Sequence, residues 1–301
     1  MSLRRLKKQE GRAALVDGIP FRLPVRAENS PAFMAAFPIN YDRARAALPG
    51  SELHPLRLWN KAILLITVID YRSTVIGKYI EFCVAIACTK TRKPAPPVLP
   101  AIFMKHYGTG QFVLDLPVST EISVKGGKTI WGMPKHQANL DFKIDERTIS
   151  SQYDKDGQLV MKVEIDRPEH ARLPVSMGAS SYSAFRGLLT RSRLYFKGCA
   201  GFKLFGKGSA RLYLGKHPRA ETIRNLEIEA DPLMIGFFPD SSGILDDHFE
   251  CWFLDYDRMP AEPMEGLESV IDLGLGQEWL PPPSAPIEEA EVAQSVRLRT
   301  F

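Results

Sequence analysis

The segment QLVMKVEID, residues 158–166, carries the pattern that decides the fold class. Met161, Val163 and Ile165 fall on one side of an extended chain and Lys162, Glu164 and Asp166 on the other, the period of two of a half-buried strand. The same kind of segment recurs outward along the chain: KAILLITVIDY (61–71), YIEFCVAIAC (79–88), SARLYLG (209–215) and FECWFLDY (249–256) are short apolar runs, several of them alternating, between Gly and Pro punctuation. Helix signals are few. The clearest is NYDRARAALPG (40–50), where Asp42 is placed to cap a short helix stopped by Pro49 and Gly50. Many strands with almost no crossover helices predict a mainly β fold, an antiparallel barrel or sandwich, and not a parallel βαβ sheet.

The totals fit that reading. A chain of 301 residues, 45% hydrophobic and 25% charged, is long enough and apolar enough to bury a large core. The net charge of +4 is modest, and part of the basic excess sits in MSLRRLKKQEGR at the start, with no basic stripe interleaved with aromatics. Nucleic acid is therefore not an expected partner. No apolar run reaches about 18 residues, so no membrane span is expected. No apolar h-region follows the basic start, so no signal peptide is expected either. Cys83, Cys88, Cys199 and Cys251 form no CxxC pair and read as free thiols, which suits a reducing cytoplasm. The economical division is a basic leader over 1–18, one domain over 19–258 and a peripheral Pro-rich, acidic arm over 259–301, where PAEPMEGLE and LPPPSAPIEEAE lie.

Several familiar motifs fail. KGGKT ends like a phosphate loop, but Ile122 stands where the first glycine must be. GASSYS (178–183) lacks the closing glycine of a nucleophile elbow, and Ser180 and Ser181 read as loop residues. The six histidines show no spacing that sets two ligands on one face, so no metal is expected. What remains is GGKTIWGMPKHQANL (126–140), in which Lys135 follows a proline among apolar residues. One reading is an edge-strand lysine that guards against aggregation. The other is an amine held away from water. A free lysine has a pKa near 10.4, and burial that disfavours the ammonium increases the neutral, nucleophilic fraction by roughly a thousandfold for every three units of lowering. Trp131 and Met133 are the candidate dry walls, or plain core residues, and Pro134 restricts the backbone that aims the lysine. Glu81 opens the apolar run Phe82 to Cys88, either at the wet end of a strand or turned inward. An amine and an acid/base group are the parts of imine chemistry.

Three segments together resemble the acetoacetate decarboxylase family, over about Pro20 to Trp252. FPINYDRARAALPG (37–50) is similar to its strand and short helix. VIDYRSTVIGKYIE (68–81) contains its G-x-Y-x-E pattern, and GGKTIWGMPKH (126–136) its G-[RK]-x-x-x-[GA]-[YFM]-P-K pattern. The resemblance implies that Lys135 is the Schiff-base lysine and Glu81 the active-site glutamate, and that no cofactor is used. It further implies a barrel or cone with the lysine in an internal cavity, assembly into homo-oligomers, and a small keto acid as substrate. The chain departs from the family at three places. His136 replaces a second lysine. The position of a second glutamate falls in AILLITV (62–68), at Leu64 or a neighbour. The arginine for the substrate carboxylate is represented by Arg26 in LPVRAENSP (23–31), although the register points to Ser30. The expected reaction is decarboxylation of a β-keto acid, with aldol condensation and dehydration of a larger oxo acid, or plain binding of an apolar ligand, as alternatives.

Overall fold

The computed structural model describes residues 11–16, 18–185, 187–206, 208–255, 273–285 and 291–292, of which 246–249 and 291–292 by backbone alone. The strands that build the site, in chain order, are β1 (Arg12–Val16), β2 (Ile19–Leu23), β3 (Val25–Glu28), β4 (Ala32–Asn40), β5 (Lys61–Tyr71), β6 (Tyr79–Lys90), β7 (Gly110–Val118), β8 (Lys135–Gln137), β9 (Thr148–Lys155), β10 (Gln158–Asp166), β11 (Leu173–Phe185), β12 (Leu188–Leu204), β13 (Ala210–Leu214) and β14 (Met234–Phe253). Three helices matter here: α1 (Tyr41–Ala47), α2 (Glu121–Trp131) and α3 (Pro218–Arg224).

Seven strands close a ring in the order β7, β11, β12, β14, β4, β5, β6 and back to β7. Closure leaves the ring without an edge, as the barrel expectation requires. One seam differs from an all-antiparallel ring: β11 meets β7 in parallel, at Ser181 opposite Gln111 and Tyr182 opposite Phe112. GASSYS thus lies within strand β11, not in a loop. A second sheet, containing β9, β10 and β13, packs on the outside of β4, β5 and β6. Ala62, Leu64, Ile66 and Val68 of β5 face that interlayer core and are fully buried, beside Phe33, Phe82, Tyr153 and Met161. The intervening residues Ile63, Leu65, Thr67 and Ile69 face the barrel lumen and stay partly accessible. The same core takes Met161, Val163 and Ile165 of β10.

Helix α1 forms where NYDRARAALPG predicts one, but its cap is Asn40: the Asn40 side chain accepts from the N–H groups of Asp42 and Arg43. Asp42 instead sits in the first turn, where a carboxylate suits the positive helix end. The leader is partly structured, because β1 pairs with β2 across residues 12–23. The boundary expected near 258 lies outside the described residues. Of the C-terminal arm, residues 273–285 carry neither helix nor strand. Among the described residues no helix is long and apolar enough to cross a membrane.

Candidate active site

Strand alternation sets which side chains enter the lumen. On β6, Glu81, Cys83 and Ala85 pair with Ile69, Thr67 and Leu65 of β5, whereas Phe82 and Val84 turn to the interlayer core. Leu64 is therefore on the wrong face to stand for a second active-site glutamate. The inward positions of that strand are Ile63, Leu65, Thr67 and Ile69, and they carry no carboxylate.

The lysine arrives by a different route. Helix α2 follows β7 and ends at Gly132, whose φ of 62° is left-handed and whose N–H closes the helix onto Gly127 and Lys128 carbonyls. The chain then reverses through Met133 and Pro134 into β8, which joins β7 in parallel with Lys135 opposite Leu116. Lys135 accordingly points to the lumen and His136 away from it. Lys135 is 7% exposed. Its Nζ stands 2.7 Å from Glu81 Oε2 and donates to Ser123 Oγ at 3.0 Å, with the Tyr79 ring centroid 5.3 Å away. The lysine stem lies against α2 so closely that a Cβ on Gly127 would collide with Lys135 Cδ and stand 2.7 Å from Cε. Glycine is required there by close approach, not by its φ.

This geometry matches half of the expectation. The amine is buried, but it is not isolated from charge: a carboxylate at 2.7 Å is a partner for an ammonium, so desolvation alone does not describe the site. Glu81 is itself anchored, accepting from Tyr71 Oη at 3.5 Å. The Tyr71 and Tyr79 rings stack at 4.6 Å, and burial first, then the Glu81 charge, push both hydroxyls well above the ordinary tyrosine range. Both remain protonated donors. Burial also raises the Cys83 thiol, assisted by Glu81 and Asp115, which makes it a poor nucleophile.

Trp131 and Met133 wall the site. Both are buried with Cys83, Ala85, Val113 and Leu116, and Leu23, Val25 and Leu245 pack against that cluster. The Trp131 carbonyl accepts from Ser183 Oγ at 2.8 Å and Thr190 Oγ1 at 3.2 Å, which ties the helix end to β11 and β12. Arg26 is not brought to this place. On β3, Val25 packs on the Trp131 cluster and Ala27 is buried, so the alternation sets Arg26 on the opposite, exposed face. Ser30, the other candidate, is buried and donates to the Glu28 carbonyl at 3.1 Å.

Behind β8 is a second polar cluster. Asp115 Oδ1 accepts from Arg219 at 3.1 Å and lies 2.9 Å from His136 Nε2, while Tyr153 Oη donates to Asp115 Oδ2 at 3.1 Å. Burial alone would raise the Asp115 carboxyl, but His136, Arg219 and Tyr153 outweigh it and hold it below the usual range. The arm also participates. Leu273 packs on Tyr79, Val118 and Val124, its carbonyl accepts from buried Lys125 at 3.0 Å, and Trp279 Nε1 donates to the Lys78 carbonyl at 3.1 Å. The strap thus braces the ring that lies beside Lys135.

Tyr71, Tyr79, Ser123 and Asp115 were not anticipated. Tyr79 shares the parity of Glu81 two residues on, a signal that was available. Ser123 reaches the amine through the tertiary path of α2 and leaves none.

Comparisons with known proteins bear on the family and the fold. The family profile described as Acetoacetate decarboxylase (ADC) matches residues 8–181, more than half of the chain and inclusive of both motif segments. No curated protein sequence matches. Among solved structures, the chain is similar to an acetoacetate decarboxylase from Legionella pneumophila, at 18% identity and TM-score 0.53, covering 75% of this chain and 86% of that one. Another acetoacetate decarboxylase is 14% identical with TM-score 0.57, covering 86% of this chain and 100% of that one. An acetoacetate decarboxylase-like enzyme from Sphingomonas wittichii RW1 is 14% identical with TM-score 0.51, covering 78% and 96%. At such identities the structures speak for the fold alone. The profile match over most of the barrel and both motifs goes further, and by it the chain belongs to the acetoacetate decarboxylase family.

Proposed function

We propose that the protein is a cofactor-independent Schiff-base lyase that decarboxylates a β-keto acid, with Lys135 as nucleophile and Glu81 as its proton acceptor. The observation that carries the reading is the 2.7 Å contact between a buried amine and a carboxylate inside an otherwise apolar wall. In this reading Glu81 keeps the acid/base role expected of it and begins as a base. It is the base that must first remove a proton from the ammonium, because only the neutral amine attacks.

The steps then balance. Proton transfer from Nζ to Glu81 leaves a lone pair that attacks the ketone carbon, and the carbonyl oxygen takes a proton. That proton comes from the attacking nitrogen, and a second one, the proton held by Glu81, lets water leave and gives the iminium. The bond to the carboxylate breaks, its electron pair moves into the iminium as an enamine, and carbon dioxide departs. Glu81, again a carboxylate, relays a proton from solvent to the enamine carbon, and water hydrolyses the imine to release ketone and the lysine ammonium. Ser123 holds Nζ in line, and Tyr71 keeps Glu81 oriented. Aldol condensation and dehydration of a larger oxo acid share the same iminium and differ only in the bond made or broken.

A rival of another class reads the same contact differently. The same ion pair suits a lysine that only neutralises a buried carboxylate in a ligand-binding barrel. Carbon dioxide release from acetoacetate and longer β-keto acids separates the readings, measured beside condensation of pyruvate with aldehydes. Release from at least one β-keto acid, lost in Lys135→Met, is expected. Condensation without release would move the reading to the aldolase. Neither activity would leave the binding barrel.

A further inference from the structure

We infer that the substrate carries an apolar chain of several carbons beyond its reacting carbonyl, housed in the lumen next to Lys135, so that acetoacetate itself is too short to be the preferred ligand. The inference rests on the imine reading of Lys135 and adds the class of molecule that the site accepts.

Beyond Glu81, the inward-facing residues of β4, β5 and β14 near the site are uncharged. Ile69 lies directly across from Glu81 on β5, and it packs on a cluster formed by Ala32, Ala200 and Phe238. Met34, Phe196 and Phe202 pack against that cluster. The inward residues of 32–36, 63–69 and 234–238 include no Asp, Glu, Lys or Arg. They also have room before them. Leu65 and Ile69 are partly accessible, although they face into a closed ring, whereas their outward neighbours Leu64, Ile66 and Val68 are completely buried. Gly236 is seated between Phe202 and Met34, where a Cβ would stand 2.8 Å from the Phe202 ring. From Leu65 to Ile69 the strand runs roughly 13 Å, the span of a medium alkyl chain. A second carboxylate or a hydroxylated chain would have to give up water there with no charged partner, whereas each methylene gains by leaving water. The Arg26 position reinforces this, because that cation is on the outer face of β3.

The test uses β-diketones, which condense with a neutral lysine amine, lose water and leave an enaminone that absorbs in the near ultraviolet. The intact protein is titrated with 2,4-pentanedione, 2,4-heptanedione and 2,4-nonanedione. Affinity is expected to rise about fourfold for each added methylene, so that nonanedione binds at least roughly a hundredfold tighter than pentanedione. Met34→Trp, which adds bulk to the Ile69 cluster, should remove the long-chain advantage and leave pentanedione binding unchanged. Equal affinity across the series, or tightest binding of pentanedione, would overturn the inference while leaving the imine intact. Absence of an enaminone with every diketone would overturn the imine reading and this inference with it. The series on the unaltered protein decides the matter even if the tryptophan variant fails to fold.

Discussion

Lys135 and His136 are neighbours on one short strand, and each meets a carboxylate, yet the two faces of β8 are built differently. Behind the strand, the Asp115 carboxylate is contacted by His136, Arg219 and Tyr153, all drawn from separate elements. In front, the Lys135 amine has Glu81 and Ser123, and beside them lies the partly accessible lumen. A buried carboxylate with several fixed partners is a structural device, because moving any of them leaves a charge uncompensated. A buried amine with one movable proton and an open side is suited to chemistry. The contrast teaches that burial and pairing alone do not mark a reactive site; what separates the faces is whether room is left for a third party.

Substitutions can break that contrast, beginning with the largest effect. Lys135→Met should lower turnover by about 10⁴-fold or more, in a steady-state assay with the best substrate of the keto acid panel, while circular dichroism shows the same fold. Glu81→Gln keeps the shape but removes the proton acceptor, so a loss of about 10² to 10⁴-fold in kcat is expected. Asp115→Asn should act on the other face: a loss of about 3 kcal/mol in unfolding free energy by denaturant titration, with imine formation at Lys135 preserved in the folded fraction. The sign of its pH dependence follows from the lowered Asp115 carboxyl. A depressed folded-state value contributes stability that is complete above the unfolded carboxylate range, near 3.9, and is lost as pH falls through the lower folded value. Thermal melts of the parent in acid should therefore show a decline below about pH 4 that Asp115→Asn lacks. The smallest effect belongs to Gly127→Ala. Its methyl would push aside the lysine stem and cost roughly ten- to a hundredfold in turnover, whereas helix propensity gives about 1 kcal/mol back to stability.

The strands and the lysine were legible because each is a local pattern. Alternation in QLVMKVEID and the apolar run after Glu81 require no knowledge of partners. Closure of the ring did require it, since the parallel seam between Ser181 and Gln111 joins positions that no local signal relates. Asp115 was hidden for a more specific reason. Simple alternation along QFVLDLPV puts Asp115 on the face of Val113, but a bulge where β7 passes Val84 and Ala85 inserts Leu114 and turns Asp115 outward to His136. Helix α2 was missed because Gly126 and Gly127 in its centre argue against helix. Both glycines sit where a Cβ would meet Phe21 or the Lys135 stem, so packing overrides propensity. The direct contact of amine and carboxylate was not legible because Glu81 and Lys135 are 54 positions apart, and only the meeting of β6, β7 and β8 brings them to 2.7 Å.

The most direct measurement of the central claim is borohydride reduction in the presence of a keto acid that the protein turns over, followed by peptide mass mapping. The account predicts one stable adduct, on the peptide containing Lys135, absent from Lys135→Met. Adduct on the buried lysines of α2, Lys125 or Lys128, or a protein left unmodified during turnover, would contradict it.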